Sequence, residues 1–144
     1  MDLKEFIRKK EGFRTKAYLD TNGTPTIGYG STMWACGRRV QMGDTITREQ
    51  AENLLDWEIK NKSSALIGLK LNENQYNALL SFIYNVGVGA FNSSTLKKLV
   101  KNNPNNPLIR NEFMKWNKET IKGKKVVNKG LTNRRKAEAD LYFT

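Results

Sequence analysis

The start of the chain has the apolar spacing of a short amphipathic helix. Apolar residues stand at positions 3, 6 and 7, which lie on one face of a helix. Asp2 precedes them as a candidate N-cap, and Gly12 is typical of the position that follows a helix C-terminus. The pattern therefore predicts a helix that ends near Lys10 or Glu11.

The next segment, residues 13–34, changes to a strand pattern. β-Branched and aromatic residues stand on both sides of Asp20–Gly23, a sequence that strongly favours a tight turn. Gly28, Gly30 and Gly37 indicate bends or close backbone approaches. Together these features predict a small, twisted antiparallel sheet.

Beyond the predicted sheet the pattern returns to helical spacing. A T-x-x-Q capping box at Thr47–Gln50 opens a long helix, and Asn72–Gln75 opens another. Ser94 or Ser93 is the candidate N-cap of a third helix, and the last segment, Asn133–Tyr142, is also predicted to be helical. A helix, a small sheet and then several helices predict an α+β fold whose sheet is confined to an N-terminal lobe.

The helical part carries three further predictions. Phe113 and Trp116 have the spacing of residues on one helix. Ala137 and Leu141 are predicted to face inward from the final helix. The Lys-rich stretch Gly123–Gly130 predicts a basic hairpin or excursion.

The composition narrows the chemistry that this fold can support. The 144 residues include 25 Lys and Arg against 14 Asp and Glu, for a net charge of +11, with no histidine and one cysteine, Cys36. Without histidine, Ser-His-Asp and Cys-His catalysis and HExxH zinc sites are excluded. The lone Cys36 excludes an intrachain disulfide, and we interpret it as a small packing residue. Acid–base chemistry must then use carboxylates, Lys or Tyr.

The excess of positive charge indicates an anionic partner, which from composition alone is nucleic acid, a membrane surface or an acidic polymer. No apolar run approaches the ~18 residues of a transmembrane helix, and the N-terminal sequence lacks the apolar region and cleavage site of a signal peptide. We therefore expect a protein made without an export signal.

Two carboxylates and a hydroxyl stand in or beside the predicted hairpin. Glu11 ends the first helix, where the partial negative charge of the C-terminus suits a carboxyl group that donates a proton. Asp20 stands in the polar turn, where it would stay ionised, and Thr26 follows on the returning strand. Glycoside hydrolysis requires such a pair of carboxyl groups. The residues alone leave an alternative open: a solvated helix end, an ordinary turn former and a typical strand residue.

The sequence of this segment closely resembles that of a known family. Glu11, eight intervening residues, Asp20, five more and then Thr26 within T-I-G-Y-G are similar to the active-site hairpin of phage-type lysozymes, or endolysins. Further segments resemble the family in the same order along the chain: Thr47–Leu55, Gln75–Phe91 and Gly130–Glu138.

The resemblance implies an α+β, lysozyme-like fold with an active-site cleft between two lobes. It implies a single lysozyme domain over residues 1–144. Its parts are a small N-terminal lobe with the antiparallel sheet at about 12–46, a linking helix at about 47–67, and a larger helical C-terminal lobe at about 68–144 packed with the helix 2–11.

The same resemblance implies roles for residues of the hairpin. Glu11 is the general acid, Asp20 the carboxylate on the opposite side of the sugar, and Thr26 the hydroxyl that positions the attacking water, while Gly28 and Gly30 support the hairpin. The family's reaction inverts the anomeric centre, which predicts carboxyl groups roughly 6.5–9.5 Å apart.

Residues outside the hairpin also match family positions. Arg134, with Arg135 as the second choice, resembles the basic partner of the catalytic glutamate. Tyr84 and Ser94 match substrate-binding positions, although they also have the pattern of a core aromatic and a helix N-cap. Ser31 stands where several relatives have a histidine, so a local ion pair of the family is in doubt here.

The function implied is that of an endolysin, which hydrolyses the β-1,4 bond between N-acetylmuramic acid and N-acetylglucosamine in peptidoglycan for host lysis. One alternative is a lytic transglycosylase on the same substrate, and another is a non-catalytic cationic binder of wall polymer or nucleic acid. We expect no metal or cofactor, a monomer, and peptidoglycan and the anionic envelope as partners, without nucleic-acid binding or stable membrane insertion. The expected route is synthesis in the host cytoplasm and action on the wall after holin-type release.

Overall fold

Short strands follow the first helix, and helices dominate the rest of the chain. The computed structural model describes residues 2–144 and groups the chain into two units, Met1–Asn61 and Lys62–Thr144. The first unit contains α1 (Leu3–Glu11), β1 (Arg14–Leu19), β2 (Pro25–Gly28) and all but the last residue of α2 (Arg48–Lys62). The second contains a 3₁₀ helix (Ser63–Leu66), α3 (Glu73–Val86), α4 (Val88–Asn92), α5 (Thr95–Asn102), α6 (Ile109–Met114), β3 (Lys118–Ile121), β4 (Lys124–Val127) and α7 (Lys129–Tyr142). The predicted α+β class is confirmed, and the predicted lobe boundaries stay predictions.

Both ends of α1 follow the capping signals in the sequence. The Asp2 carboxylate accepts a hydrogen bond from the Lys4 N–H at 2.9 Å, which satisfies one of the free donors of the first turn. At the other end the Gly12 N–H donates to the Arg8 carbonyl at 2.9 Å, and Gly12 has a φ of 71°. The predicted helix end is therefore confirmed, and it fixes Glu11 as the last helical residue.

Strands β1 and β2 form the predicted antiparallel hairpin. Tyr18 is paired with Thr26 and Leu19 with Pro25, and the register shifts between Arg14 and Tyr18. Isolated bridges extend the pairing beyond the two strands, among them Ile27 with Ser31. The sheet thus places the residues on both sides of the turn next to one another.

The predicted caps of the later helices are present. Thr47 and Gln50 form the reciprocal capping box at the start of α2, with hydrogen bonds of 2.9 and 3.1 Å. Asn72 and Gln75 form a second box before α3, with bonds of 3.0 and 2.8 Å. Ser94, and not Ser93, is the N-cap of α5.

Aromatic packing fills the centre of the second unit. The ring of Phe82 on α3 meets three other rings edge-on, with centroid distances of 6.2 Å to Phe91, 5.6 Å to Phe113 and 5.5 Å to Trp116. Such edge-to-face pairs add to the free energy gained from burial of apolar surface. Helix α6 ends at Met114, so the prediction that Trp116 lies on that helix is wrong. A tight turn, in which the Trp116 N–H donates to the Phe113 carbonyl at 3.1 Å, gives its ring the same inward direction.

The inner face of α7 combines charged and apolar residues. Arg134, Arg135 and Glu138 are all buried, with exposed fractions of 4%, 0% and 0%. Leu141 is buried as predicted, but Ala137 is only half-buried, so the inward-facing alanine is Ala139. The prediction for Ala137 is wrong because charged residues occupy the buried stripe.

Two other predictions about local structure need correction. Cys36 is exposed, so its interpretation as a small packing residue is wrong. The predicted basic hairpin exists, but β3 and β4 span Lys118–Val127, and Gly130 belongs to α7. Over residues 2–144 no helix combines the length and hydropathy that crossing a bilayer requires.

Candidate active site

The Glu11 side chain lies directly against the backbone of Gly30. Gly30 has a φ of 80°, and a β-carbon built there would stand 2.5 Å from Glu11 Oε2 and 3.2 Å from its Cδ. The carboxyl group therefore occupies the space that a side chain at position 30 would need. The contact brings the end of α1 and the segment just beyond β2 to one place.

Asp20 stands at the end of β1 and shapes the turn with one of its two carboxylate oxygens. Asp20 Oδ1 accepts hydrogen bonds from the Asn22 N–H at 2.8 Å and the Thr24 N–H at 2.9 Å. The Asp20 backbone closes the turn through bonds of 3.0 Å to the Thr24 carbonyl and from the Gly23 N–H. Within residues 2–144, Oδ2 has no hydrogen-bond donor. Asp20 is thus a turn former, as its position predicts, and it also presents a second oxygen for other chemistry.

Thr26 lies on β2 opposite Tyr18 and is buried, with 4% of its surface exposed. Its Oγ1 donates to the Thr24 carbonyl at 2.9 Å. A hydroxyl has one proton to donate, so this bond leaves the oxygen with acceptor capacity only. The orientation of the hydroxyl is therefore fixed by the backbone of the same hairpin.

The negative charges of Glu11 and Asp20 both affect the pKa of Tyr18. Burial raises the pKa of the Tyr18 phenol, and the negative charges of Glu11 and Asp20 raise it further, while the Arg14 guanidinium opposes them. The same guanidinium lies 4.7 Å from the centroid of the Tyr18 ring. Glu11 and Asp20 thus both act electrostatically on the Tyr18 phenol.

A hydrogen-bonded network centred on Glu52 connects Arg8 of α1 to the side chain of Tyr29, the residue before Gly30. Arg8 donates to Glu52 through Nε at 2.8 Å and through Nη2 at 2.6 Å, a bidentate pair. The Tyr29 hydroxyl donates to Glu52 Oε1 at 3.0 Å and accepts from Arg48 Nη1 at 3.3 Å. These donors, Arg8 first, lower the pKa of the Glu52 carboxyl. Arg8 lies one turn before Glu11, so the network holds both sides of the Glu11–Gly30 contact.

Sequence patterns do not reveal this network. Arg8 and Glu52 are 44 residues apart, and a charged residue on each of two amphipathic helices is ordinary. Tyr29 stands in the T-I-G-Y-G segment as a strand-forming aromatic, and nothing local identifies its hydroxyl as a donor to α2. Only the tertiary fold reveals the set.

Gly28, the other hairpin glycine, has a φ of 62°. A β-carbon there would lie 3.5 Å from the Ala51 β-carbon and 3.6 Å from Ile46 Cδ1, which are ordinary packing distances. Gly28 is needed for its backbone conformation, whereas Gly30 is needed for both conformation and space.

The remaining predicted residues belong to the second unit. Arg134 donates to Glu138 Oε2 at 3.3 Å and to the Ser81 carbonyl at 3.1 Å. Tyr84 is buried, and Lys62 Nζ lies 4.4 Å from its ring centroid.

Ser94 acts as the helix cap that its pattern predicts. Its hydroxyl donates to the Phe91 carbonyl at 2.6 Å and accepts from the Lys97 N–H at 3.1 Å. The roles of Arg134, Tyr84 and Ser94 toward Glu11 or a substrate stay predictions.

The chemistry available at the hairpin is that of carboxyl groups and one oriented hydroxyl. Among residues 2–144 there is no group of three Asp, Glu or Cys side chains arranged to hold a metal ion. Glu11, Asp20 and Thr26 are set by a helix end, a turn and a strand that pack in one unit. Carboxyl groups of this kind can donate and accept protons, and a hydroxyl can orient a water molecule.

Comparison with known proteins gives this arrangement a family. Residues 8–138 match the sequence profile described as Phage lysozyme. The endolysin of Acyrthosiphon pisum secondary endosymbiont phage 1 is 40% identical over 139 residues, which cover 94% of this chain and 91% of that protein.

Two solved structures share the fold. The endolysin from Escherichia coli O157:H7 phage FAHEc1 has a TM-score of 0.84 and 39% identity, covering 99% of this chain and 93% of that one. The muramidase domain of SpmX from Asticaccaulis excentricus has a TM-score of 0.81 and 29% identity, covering 99% and 95%. The predicted lysozyme-like fold is thereby confirmed. Because a family profile matches most of its length and a relative of this similarity covers nearly all of it, the chain belongs to the phage lysozyme family and is a lysozyme-type enzyme.

Proposed function

We propose that this chain hydrolyses the β-1,4 bond between N-acetylmuramic acid and N-acetylglucosamine in bacterial peptidoglycan, by a single displacement that inverts the anomeric centre. Glu11 donates a proton to the leaving oxygen, Asp20 accepts a proton from the attacking water, and Thr26 orients that water. The observation that carries the proposal is the Thr26 hydroxyl, whose only proton is already given to the Thr24 carbonyl.

The fixed hydroxyl determines how a water molecule can bind. Because Thr26 Oγ1 can only accept, the water must donate one of its hydrogens to it. The other hydrogen is donated to Asp20 Oδ2, the oxygen that the turn leaves available. A lone pair of the water oxygen then remains for attack on the anomeric carbon while Asp20 takes the proton.

Glu11 is the candidate acid because of where it is held. It is the last residue of α1, and its carboxyl group occupies the space that a side chain at Gly30 would need. Close packing of this kind limits the directions in which the carboxyl group can turn. Such preorganisation is what general acid catalysis needs.

The substrate class agrees with the charge of the protein. A net charge of +11 attracts the chain to an anionic bacterial envelope. We further propose action on the wall after release from the cytoplasm through a holin-type pore, and function as a monomer. Electrostatic attraction would raise the rate of encounter and would fall with added salt.

Three substitutions test the assignment in a turbidity assay on purified peptidoglycan. Glu11→Gln and Asp20→Asn should each lower kcat by about 10²–10⁴-fold, and Thr26→Val should lower it because the water loses its acceptor. Thr24→Val is the matched control, since it removes a hydroxyl from the same hairpin while the carbonyl that holds Thr26 stays. A folded Glu11→Gln protein that clears the suspension at the normal rate would refute the proposal.

The products test the stereochemistry and the reaction type. Proton NMR of the first-formed sugar should show the inverted anomer, and retention would contradict the role given to Asp20. A lytic transglycosylase would instead release an anhydro sugar, lighter by one water, which mass spectrometry distinguishes. A protein that binds wall polymer without releasing any sugar would support a non-catalytic binder.

A further inference from the structure

The β3–β4 hairpin of the second unit is open to solvent on both faces. Nine of the ten residues in 118–127 are exposed, and Glu119 is half-buried. The hairpin contains four lysines and one glutamate, so its net charge is +3. Hydrolysis at Glu11 and Asp20 gives no reason for this cationic element.

The tip of the hairpin carries a lysine in an unfavourable backbone conformation. Ile121 pairs with Lys124, so Lys122 and Gly123 are the two central residues of the turn. Their φ values are 51° and 78°, as a type I′ turn requires at both positions. Lys122 is the one non-glycine residue with positive φ in residues 2–144, where asparagine or glycine would fit with less strain. A lysine in this conformation makes its side chain a candidate for a functional role.

The same hairpin exposes aliphatic side chains beside its lysines. Ile121, Val126 and Val127 are exposed by 46%, 43% and 60%. Val127 is paired with Lys118, and Ile121 with Lys124, so apolar and cationic residues are neighbours across the two strands. Valine and isoleucine hold a two-stranded ribbon together, but this ribbon has no third layer on which to bury them in the described chain.

The hairpin is anchored at its base. The Asn128 N–H donates to the Asn117 carbonyl at 2.8 Å, directly beyond the last strand pair. Asn128 is also the N-cap of α7, and Trp116 packs against Phe82 in the core. The residues at the base of the hairpin are therefore fixed to the rest of the second unit, whereas the tip extends into solvent.

We propose that the β3–β4 hairpin binds the surface of an anionic phospholipid bilayer. Its lysines contact the phosphate headgroups, and Ile121 and Val126, which lie on one face of the ribbon, enter the interfacial region between headgroups and acyl chains. A soluble polyanion would need only the charges, whereas a bilayer also accommodates aliphatic side chains. This proposal concerns peripheral attachment and does not depend on the proposed function.

Co-sedimentation with vesicles tests whether the positive charges of the hairpin lysines contribute to binding. The probes are vesicles of phosphatidylcholine, with and without phosphatidylglycerol. The readout is the partition coefficient of the intact protein between buffer and vesicles. Each lysine removed from the bound hairpin should weaken partitioning by about fivefold, so Lys124→Gln/Lys125→Gln should lose most of the binding. The matched control is Lys98→Gln/Lys101→Gln, which removes two exposed charges from α5. Equal losses in the two double variants would overturn the proposal.

Lys122→Asn tests the strained tip separately. Asparagine tolerates positive φ, so the variant should unfold at the same or a higher temperature while partitioning falls about fivefold. A variant that is more stable and binds vesicles as well as the wild-type chain would overturn the role of Lys122.

Ile121→Thr/Val126→Thr separates a bilayer from a polymer. Threonine keeps the β-branched shape and replaces one apolar branch with a hydroxyl, so the apolar surface shrinks. Weaker binding to phosphatidylglycerol vesicles, with unchanged binding to a soluble polyphosphate, supports the proposal. Unchanged binding to both would assign the hairpin to polyanions and overturn it. Peptidoglycan hydrolysis, measured in parallel, should remain normal in all these variants.

Discussion

The Glu11 carboxyl group lies directly against Gly30 and occupies the space that a side chain at position 30 would need. A β-carbon at position 30 would lie 2.5 Å from Glu11 Oε2, well inside the distance at which two such atoms can coexist. The proposed acid, Glu11, can therefore take this position only because residue 30 is a glycine. Two elements distant in sequence, the end of α1 and the segment after β2, meet at this point.

Gly30→Ala should displace the Glu11 carboxyl group and lower kcat at least tenfold. The new methyl group must move the carboxyl by a large fraction of an ångström, and general acid catalysis depends on such distances. The backbone strain at a φ of 80° should also lower the free energy of unfolding by about 1–2 kcal/mol. Hydrolysis rates below the unfolding transition separate the two effects.

Gly28→Ala is the matched control for this substitution. Gly28 also has positive φ, at 62°, but its β-carbon would lie 3.5 Å or more from its neighbours, Ala51 and Ile46. A similar loss of stability with a much smaller loss of kcat is expected. Equal losses of kcat in the two variants would mean that strain in the hairpin, and not the contact with Glu11, limits the reaction.

The local features of this site are predictable from the sequence, whereas the contact is not. The turn at Asp20–Gly23 and the end of α1 follow from the backbone preferences of individual residues, and both are present as predicted. Gly30 is visible in the sequence as a point of close approach, but the sequence does not say what approaches it. That depends on tertiary packing.

Glu52→Gln should weaken the interaction that fixes Arg8, near the end of α1, to α2. The substitution removes the negative charge that Arg8 binds through two donors, and the Tyr29 hydroxyl loses a charged acceptor. We expect the free energy of unfolding to fall by about 1 kcal/mol, and kcat to fall severalfold with little change in KM. Steady-state kinetics on soluble peptidoglycan fragments measures the two parameters.

Asp56→Asn provides the comparison on the same helix. Asp56 pairs with Lys4 of α1 at 2.5 Å, is more than half exposed and touches neither Arg8 nor Tyr29. Its loss removes the same charge from α2 and should leave kcat unchanged. If Asp56→Asn lowered kcat as much as Glu52→Gln, general loosening of α1 would explain both, and the network would have no specific role.

The pH dependence of stability gives an independent check on Glu52. Hydrogen bonds from Arg8 lower the pKa of the Glu52 carboxyl in the folded chain, so the folded state binds a proton less readily than the unfolded state. The stabilisation is present above the ordinary glutamate pKa of about 4.3 and is lost as the pH falls through the lower folded value. The difference in unfolding free energy between the wild type and Glu52→Gln should thus shrink below about pH 4. A difference that stays constant down to pH 2 would contradict the shift.

Helix α7 shows where binary patterning fails for a physical reason. Sequence periodicity predicts that apolar residues line the buried stripe, and it selects Ala137 with Leu141. The stripe instead includes Arg134, Arg135 and Glu138, which form ion pairs with one another and are all buried. A rule that places charged residues at the surface cannot find a cluster whose charges pair with one another within the core.

Glu138→Gln should be among the most destabilising single substitutions in the second unit. Glu138 accepts from Ser81 at 2.6 Å and pairs with Arg135 at 2.8 Å, with no exposed surface. Burial raises the pKa of this carboxyl, and the charges of Arg135 and Arg134 oppose that effect. Removal of the anion takes the Glu138 negative charge away from two buried guanidinium groups, which costs about 3–5 kcal/mol. Asp140 is also on α7 and forms an exposed ion pair with Arg110 of α6, so Asp140→Asn should cost less than about 1 kcal/mol. Urea unfolding of both variants measures the difference, and equal losses would show that the buried cluster contributes no more than a surface ion pair.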